Sequence, residues 1–486
     1  MFDVLKQTLA LAFVPALAMA VALAFSLADG LAGADFELAC LVQKAVHDVP
    51  RAFLYCPAND ALAWVGGMAA LGLVLAVVPG AVFRLLARRC GCDRERNARL
   101  FPRLVPWAVA LTALTTLLQG TLVMMILVLA VAWVFGKAPL VLMIILMLGV
   151  VLSTLVVLGS LRNLTSVPVI GVAAVPVGRG EAPALWRLVD DIAGRLGSGR
   201  PDTVLIGLEV SAWVASRVVH TPGQDLDSEP EIHVGRALYL SLPMMAALEK
   251  EELAAIVAHE LGHFRGGDVL HGTRLAPAYQ AIETVVDGME QSRMPFEDVP
   301  GIGTVLGWLF RAPTILCLQL LLSAFHANLR AINRERELEA DRACLEIVPR
   351  EVAAQCLLRS ALISVRFNAM LEAAFEAACE GTPVESRLAT AFSRRESAED
   401  EAQFLDDVLE HSVVHPFDSH PPAATRLDAL GVQPAAIPVE RLMARPRSPA
   451  TALLPPFLLD RLDTKVSGWE IEAMQNAAAA RMAEAA

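Results

Sequence analysis

The stretch from Leu104 to Leu161 is almost wholly apolar, interrupted around Gly136-Lys137-Ala138-Pro139. A bilayer span needs about 20 apolar residues, so this region predicts two spans joined by a tight Gly/Pro turn. Leu9–Leu27 and Ala61–Phe83 are two further apolar runs. The first exceeds the ~7–15 residues of a signal-peptide core and Lys6 is the one basic residue before it, which favours an anchor over a cleaved leader. The excess of apolar residues lies before residue 165. It lifts the hydrophobic share of the whole chain to 55% and the mean hydropathy to +0.51, beyond an ordinary soluble protein. About four N-terminal transmembrane helices are therefore expected.

Charge sets the expected orientation. Between the second and third spans stand Arg88, Arg89, Arg94, Arg96, Arg99 and Arg103, and a short arginine-rich loop stays in the cytoplasm. The loop from Asp29 to Asp60 is acidic and would face outward; it carries Cys40 and Cys56, where a disulfide could form. Four crossings return the chain to the cytoplasm near Arg162. Cys90 and Cys92 fall in the inner loop and read as reduced thiols. Cys317, Cys344, Cys356 and Cys379 read as packing residues.

The chemistry begins at His259-Glu260-Leu261-Gly262-His263. Residues four apart share a helix face, so both imidazoles can reach one metal ion. Glu260 follows the first of them directly, where its carboxylate can reach a water at the metal without binding the metal itself. Two imidazoles, a third protein ligand and one open position describe catalytic zinc, and a carboxylate beside such a zinc can take a proton from water. That is apparatus for peptide-bond hydrolysis. The apolar residues Met244, Leu248, Leu253, Ile256 and Val257 repeat at helical spacing. Ser241 and Pro243 mark the expected start of the helix and Gly266-Gly267 its stop.

A third donor is expected downstream, in the charged run Asn333 to Asp341. Glu337 and Asp341 lie four apart, so one can bind metal while the other steadies a ligand imidazole. Glu335 and Glu339 lie in the same run, and His271 and His326 are competitors outside it. Spacing alone does not exclude them.

In these residues the segment resembles the integral-membrane gluzincin metallopeptidases, the family of HtpX and the CAAX prenyl proteases. The resemblance runs from about Ala182 to Leu430. It rests on Glu251 to Asp268, on Arg336 to Asp341, and on Ser419-His420-Pro421-Pro422 with Arg426-Leu427. It implies one Zn2+ per chain held by His259, His263 and Glu337, with Glu260 as general base and Asp341 behind a ligand. It also implies His420 and Arg426 near the substrate, where His420 could polarise the scissile carbonyl or stabilise the oxyanion. The family's Asn in the substrate-receiving strand is replaced here by Ser211, in Ser211-Ala212-Trp213-Val214-Ala215.

The expected fold is a mainly α membrane protein: transmembrane region 1–164, a mostly helical zinc-peptidase domain with a small β-sheet over 165–430, and a Pro-rich extension over 431–486. A helix is read at Ala182–Leu196, with strands at Thr203–Leu208, Ala212–Val219 and Ile232–Leu240. The last 20 residues or so read as a short helix. Ile302–Phe325 is apolar too, but a single crossing there would separate Glu337 from His259 and His263. With Glu337 as a ligand, that segment is expected to lie along or dip into the membrane, or to roof the site, and not to span. A net charge of −12 and the lack of a basic stripe argue against nucleic acid. Peptides or proteins and the lipid bilayer are the expected partners, at the bacterial inner membrane with the catalytic domain in the cytoplasm. Membrane-protein quality control is the role the HtpX resemblance suggests.

Overall fold

The computed structural model describes residues 2–32, 58–135, 140–159, 169–216, 218–223, 229–265, 278, 282, 286, 302–395 and 421–485. The chain divides into two units: Met1–Ser166 with Arg274–Leu329, and Val167–Thr273 with Arg330–Ala486.

In lipid every backbone polar group must find a partner within the protein, which leaves apolar runs little choice but helix. The first unit holds α1 (Phe2–Ala32), α2 (Ala58–Cys90), α3 (Arg94–Phe135) and α4 (Leu140–Gly159). Lys6–Ala24, Trp64–Cys90 and Arg94–Leu127 are long and apolar enough to cross a membrane. α4 adds 20 residues without a charge. Pro15, inside α1, has no N–H and so leaves the carbonyl of Leu11 without its helical donor. Gln119 of α3 supplies one, donating Nε2–H to that carbonyl at 2.9 Å. Gly72 of α2 lies against the Pro15 ring, and Gly120 of α3 against Val150 of α4, so close that a Cβ would meet them at 2.8 Å. Small residues at crossings let membrane helices pack by contact alone. Asn97 closes the arginine-rich α2–α3 turn, donating to the carbonyls of Gly91 and Asp93.

The apolar segment expected at 302–325 opens a 43-residue helix, α8 (Ile302–Cys344). Leu318, Leu321, Phe325 and Leu329 pack with Phe83, Phe101 and Val105 of α2 and α3. The Phe101 and Phe325 rings meet edge to face at 5.3 Å. This part of α8 is thus built into the helical bundle of its own unit, and Ile315–Cys344 is itself long and apolar enough to cross. Ile282 and Val286 join the same cluster, so apolar packing in this region does not come from 302–325 alone.

The second unit carries two small sheets. β2 (Ala174–Val177), β3 (Thr203–Gly207), β7 (Ala237–Ser241) and β4 (Ala212–Ala215) lie in the order β2-β3-β7-β4, with only β3 and β7 parallel. β1 (Ile170–Gly171), β5 (Val219–Thr221) and β6 (Glu231–His233) form the other. Two expected strands each divide in two. The break between β6 and β7 falls at Gly235, whose φ of 117° suits glycine and whose missing Cβ leaves room for Asp202. Asp202 accepts from the N–H of Arg236 there at 2.8 Å.

α5 (Pro183–Leu196) covers the four-stranded sheet through Leu185, Trp186, Val189 and Ile192. The helix expected from Ser241 onward is two helices, α6 (Leu242–Ala247) and α7 (Lys250–Gly262). Ser241 caps α6. Glu249 and Glu252 then form a reciprocal capping box that starts α7 afresh after an extended Leu248. Beyond α8 come α9 (Arg350–Cys379), α10 (Leu388–Arg394), α11 (Ala423–Leu430), α12 (Val439–Met443) and α13 (Pro456–Ala485).

Residues 431–486, expected as an extension, are part of this unit's core. Leu453, Leu458, Leu462, Val466 and Trp469 pack in the same apolar cluster as α5 and α7. The expected short terminal helix is the 30-residue α13. Buried Asp463 of α13 accepts the backbone N–H groups of Ala389 and Thr390, capping the start of α10 from a distance. Cys90, Cys317, Cys344 and Cys356 are buried and free; Cys40 and Cys56 lie outside the described residues.

Candidate active site

The site forms where α7 and the end of α8 approach unusually closely. Gly262, inside the H-E-x-x-H motif, permits it: a Cβ there would stand 3.1 Å from Ala343 Cβ and 3.2 Å from Ala340 Cα. That approach brings the carboxylates of α8 to the imidazoles of α7. His259 Nε2 lies 3.3 Å from Glu337 Oε2, and His263 Nε2 lies 3.5 Å from Glu337 Oε1. The two rings stand edge to face, 4.9 Å between centroids.

Donors ~2.05 Å from a tetrahedral zinc sit about 3.3 Å from one another. The two contacts match that spacing, and one ligand atom from each of His259, His263 and Glu337 lies within 4.8 Å of the others. Two neutral nitrogens and one carboxylate oxygen, leaving a fourth position open, are a catalytic zinc donor set. Of the competitors, Glu335 and Glu339 are exposed on other faces of α8, His326 belongs to the first unit, and His271 lies outside the described residues. Among the described residues, His259, His263 and Glu337 are the only such cluster.

Behind His259 stands a chain of polar contacts. Its Nδ1–H donates to Asp341 Oδ1 at 3.0 Å, which leaves Nε2 to face Glu337. Arg426 of α11 grips Asp341 with both arms, Nε to Oδ2 at 2.9 Å and Nη2 to Oδ1 at 2.6 Å. Burial works against a charged His259, but its hydrogen bonds to Asp341, Cys344 and Glu337 outweigh burial and hold its pKa well above the ordinary imidazole value. Burial likewise disfavours the Arg426 charge and is outweighed by Asp341, so the guanidinium stays charged. A cation at the site must displace the His259 proton, so its binding weakens as pH falls.

The expected neighbour of the substrate, Arg426, thus has its guanidinium committed to Asp341. Replacing it by Ala should weaken zinc binding about 10- to 100-fold through the orphaned carboxylate–imidazole pair, read as the chelator concentration needed to strip the metal. An unchanged stripping curve would remove Arg426 from this role. His420 lies outside the described residues; Pro421 and Pro422 lead into α11.

A cavity of about 550 Å³ opens beside His259 and Glu260. Ser211 and Ala212, at the start of β4, line it, as do Leu357, Ser360, Ser364 and Asn368 of α9. β4 is an edge of its sheet. Its Trp213 stacks on Tyr239 of β7, centroids 5.1 Å apart and planes within 7°. The Tyr239 hydroxyl donates to the Glu209 carbonyl at 3.1 Å, fixing the approach to the strand. An extended peptide could add to such an edge by main-chain hydrogen bonds.

His259 and His263 of the H-E-x-x-H helix and Glu337 of a second helix could together hold a metal ion, and among the described residues four helices are long and apolar enough to span a membrane. Residues 232–432 match the model of peptidase family M48. The Protease HtpX homolog of Ralstonia nicotianae is 28% identical over 176 residues, covering 35% of this chain and 52% of that protein. The Protease HtpX homolog of Ralstonia pickettii is 27% identical over the same length and shares. The chain therefore spans about half the length of the curated relatives it matches. Among solved structures, S. mikatae Ste24p is 15% identical, with 53% of this chain and 51% of that one covered and a TM-score of 0.25.

Proposed function

We propose that this chain is a membrane-bound zinc endopeptidase. The observation that carries the reading is the convergence of His259, His263 and Glu337 at tetrahedral spacing, with Glu260 facing a cavity beside an edge strand. One Zn2+ held by the three donors would supply Lewis-acid polarisation of a carbonyl and of water. Glu260 takes a proton from the attacking water and returns it to the leaving amine. Asp341 holds His259 in the tautomer that presents Nε2, and Arg426 holds Asp341. His420 is assigned to the substrate carbonyl on the strength of the His-Pro-Pro motif. The β4 edge receives the substrate main chain, with Ser211 where the family has Asn.

The HtpX relatives support a role in membrane-protein quality control, and the arginines of the α2–α3 turn support a cytoplasmic catalytic domain. Glu337 must then face the cytoplasm with His259.

Zinc content and casein hydrolysis of the full chain in detergent test this. About one zinc per chain is expected, with hydrolysis lost on chelation and restored by zinc. Zinc bound without hydrolysis would turn the reading into a membrane scaffold with a structural metal.

A further inference from the structure

The cavity beside Glu260 has a graded wall. α9 enters it with Ala353, Cys356 and Leu357 and continues with Ser360, Ser364 and Asn368. The last three recur every four residues and so ride on one helix face. Cys356 is buried and its thiol is turned into the protein, donating to the Glu252 carbonyl at 3.2 Å. From Ser360 onward α9 meets the cavity with two hydroxyls and an amide; Glu209 and Ser211 line it as well, and Val210, Met244, Ile256 and Leu430 add apolar lining.

Resting on the peptidase reading above, we propose that Ser360, Ser364 and Asn368 form a specificity wall selecting polar, extended peptide segments, the chemistry of water-exposed loops and tails, over apolar membrane-spanning sequence. Four residues of helix advance about 6 Å, and alternate residues of an extended strand advance about 6.7 Å. A peptide laid along α9 therefore meets one polar wall residue with nearly every second side chain. Hydroxyl, amide or charged side chains exchange hydrogen bonds with the wall. A run of leucines strips water from the three polar groups and returns no partner, the situation that makes polar sites reject apolar analogues.

The test uses the full chain in detergent and two fluorogenic peptides sharing one scissile bond. One carries Ser and Gln at alternate flanking positions and the other Leu. Wild type should cut the polar peptide about tenfold faster in kcat/KM. Ser364→Leu and Asn368→Leu should shrink or invert that ratio at unchanged zinc content. Asn368 is exposed, so its variant keeps the test alive should Ser364→Leu misfold. Equal cutting of both peptides by wild type, or a ratio that survives both substitutions, overturns the wall and leaves the peptidase reading standing. Zinc-loaded wild type that cuts neither peptide nor casein overturns both.

Discussion

Glu260→Ala should retain about one zinc per chain and lose casein hydrolysis by roughly 10²- to 10⁴-fold, the usual weight of a general base. Glu337→Ala should lose the metal and the hydrolysis together. The two carboxylates differ only in where they point. Glu337 stands 3.3 Å and 3.5 Å from the two imidazole nitrogens, at the spacing of ligands to one ion. Glu260, on the same helix as those imidazoles, faces the cavity instead. Elemental analysis beside a proteolysis assay separates the roles. Zinc lost from Glu260→Ala, or zinc kept by Glu337→Ala, would exchange the ligand and the base.

The imidazole pair was readable in the sequence because helical spacing alone puts residues four apart on one face. Glu337 was readable only as one of several acids. What singles it out is the face of α8 that Gly262 admits to α7, and a glycine inside a motif does not announce which helix will lie against it. Asp341 followed from Glu337 by the same four-residue step. The task of Arg426 did not, because its partner is 85 residues away and sequence spacing carries no such pairing. The break between α6 and α7 was signalled by Glu249 and Glu252, but apolar periodicity across Leu248 hid it. The C-terminal segment reads as an extension from its prolines. Its leucines spaced along α13 complete the core of the second unit, a fact that only the partner surface reveals.

Arg359→Met should cost about 3–5 kcal/mol, the weight of breaking a buried ion pair from one side, and lower Tm on the order of 10 °C. Arg359 Nη1 lies 3.2 Å from Glu252 Oε2, with both side chains buried. Its Nη2 donates to the carbonyls of Ala247 and Ala444, tying the end of α6 and the C-terminal segment to the first turn of the zinc helix. Glu249, one residue before α7, adds to that tie by accepting the backbone N–H groups of Arg447 and Ser448. Burial raises the Glu252 pKa, and Arg359 is the chief influence pulling it back down. In the variant it rises further. A carboxyl whose folded pKa exceeds its unfolded value near 4.3 stabilises the fold fully below that value, and the contribution is lost as pH rises through the folded pKa. The destabilisation should therefore be smaller at pH 5 than at pH 8, and Glu252→Gln in the same chain should recover part of it by removing the stranded charge. Melting curves in detergent at both pH values, with zinc content read alongside, decide the matter. An Arg359→Met chain that melts with wild type at pH 8 would show that the zinc helix is held by its apolar face alone.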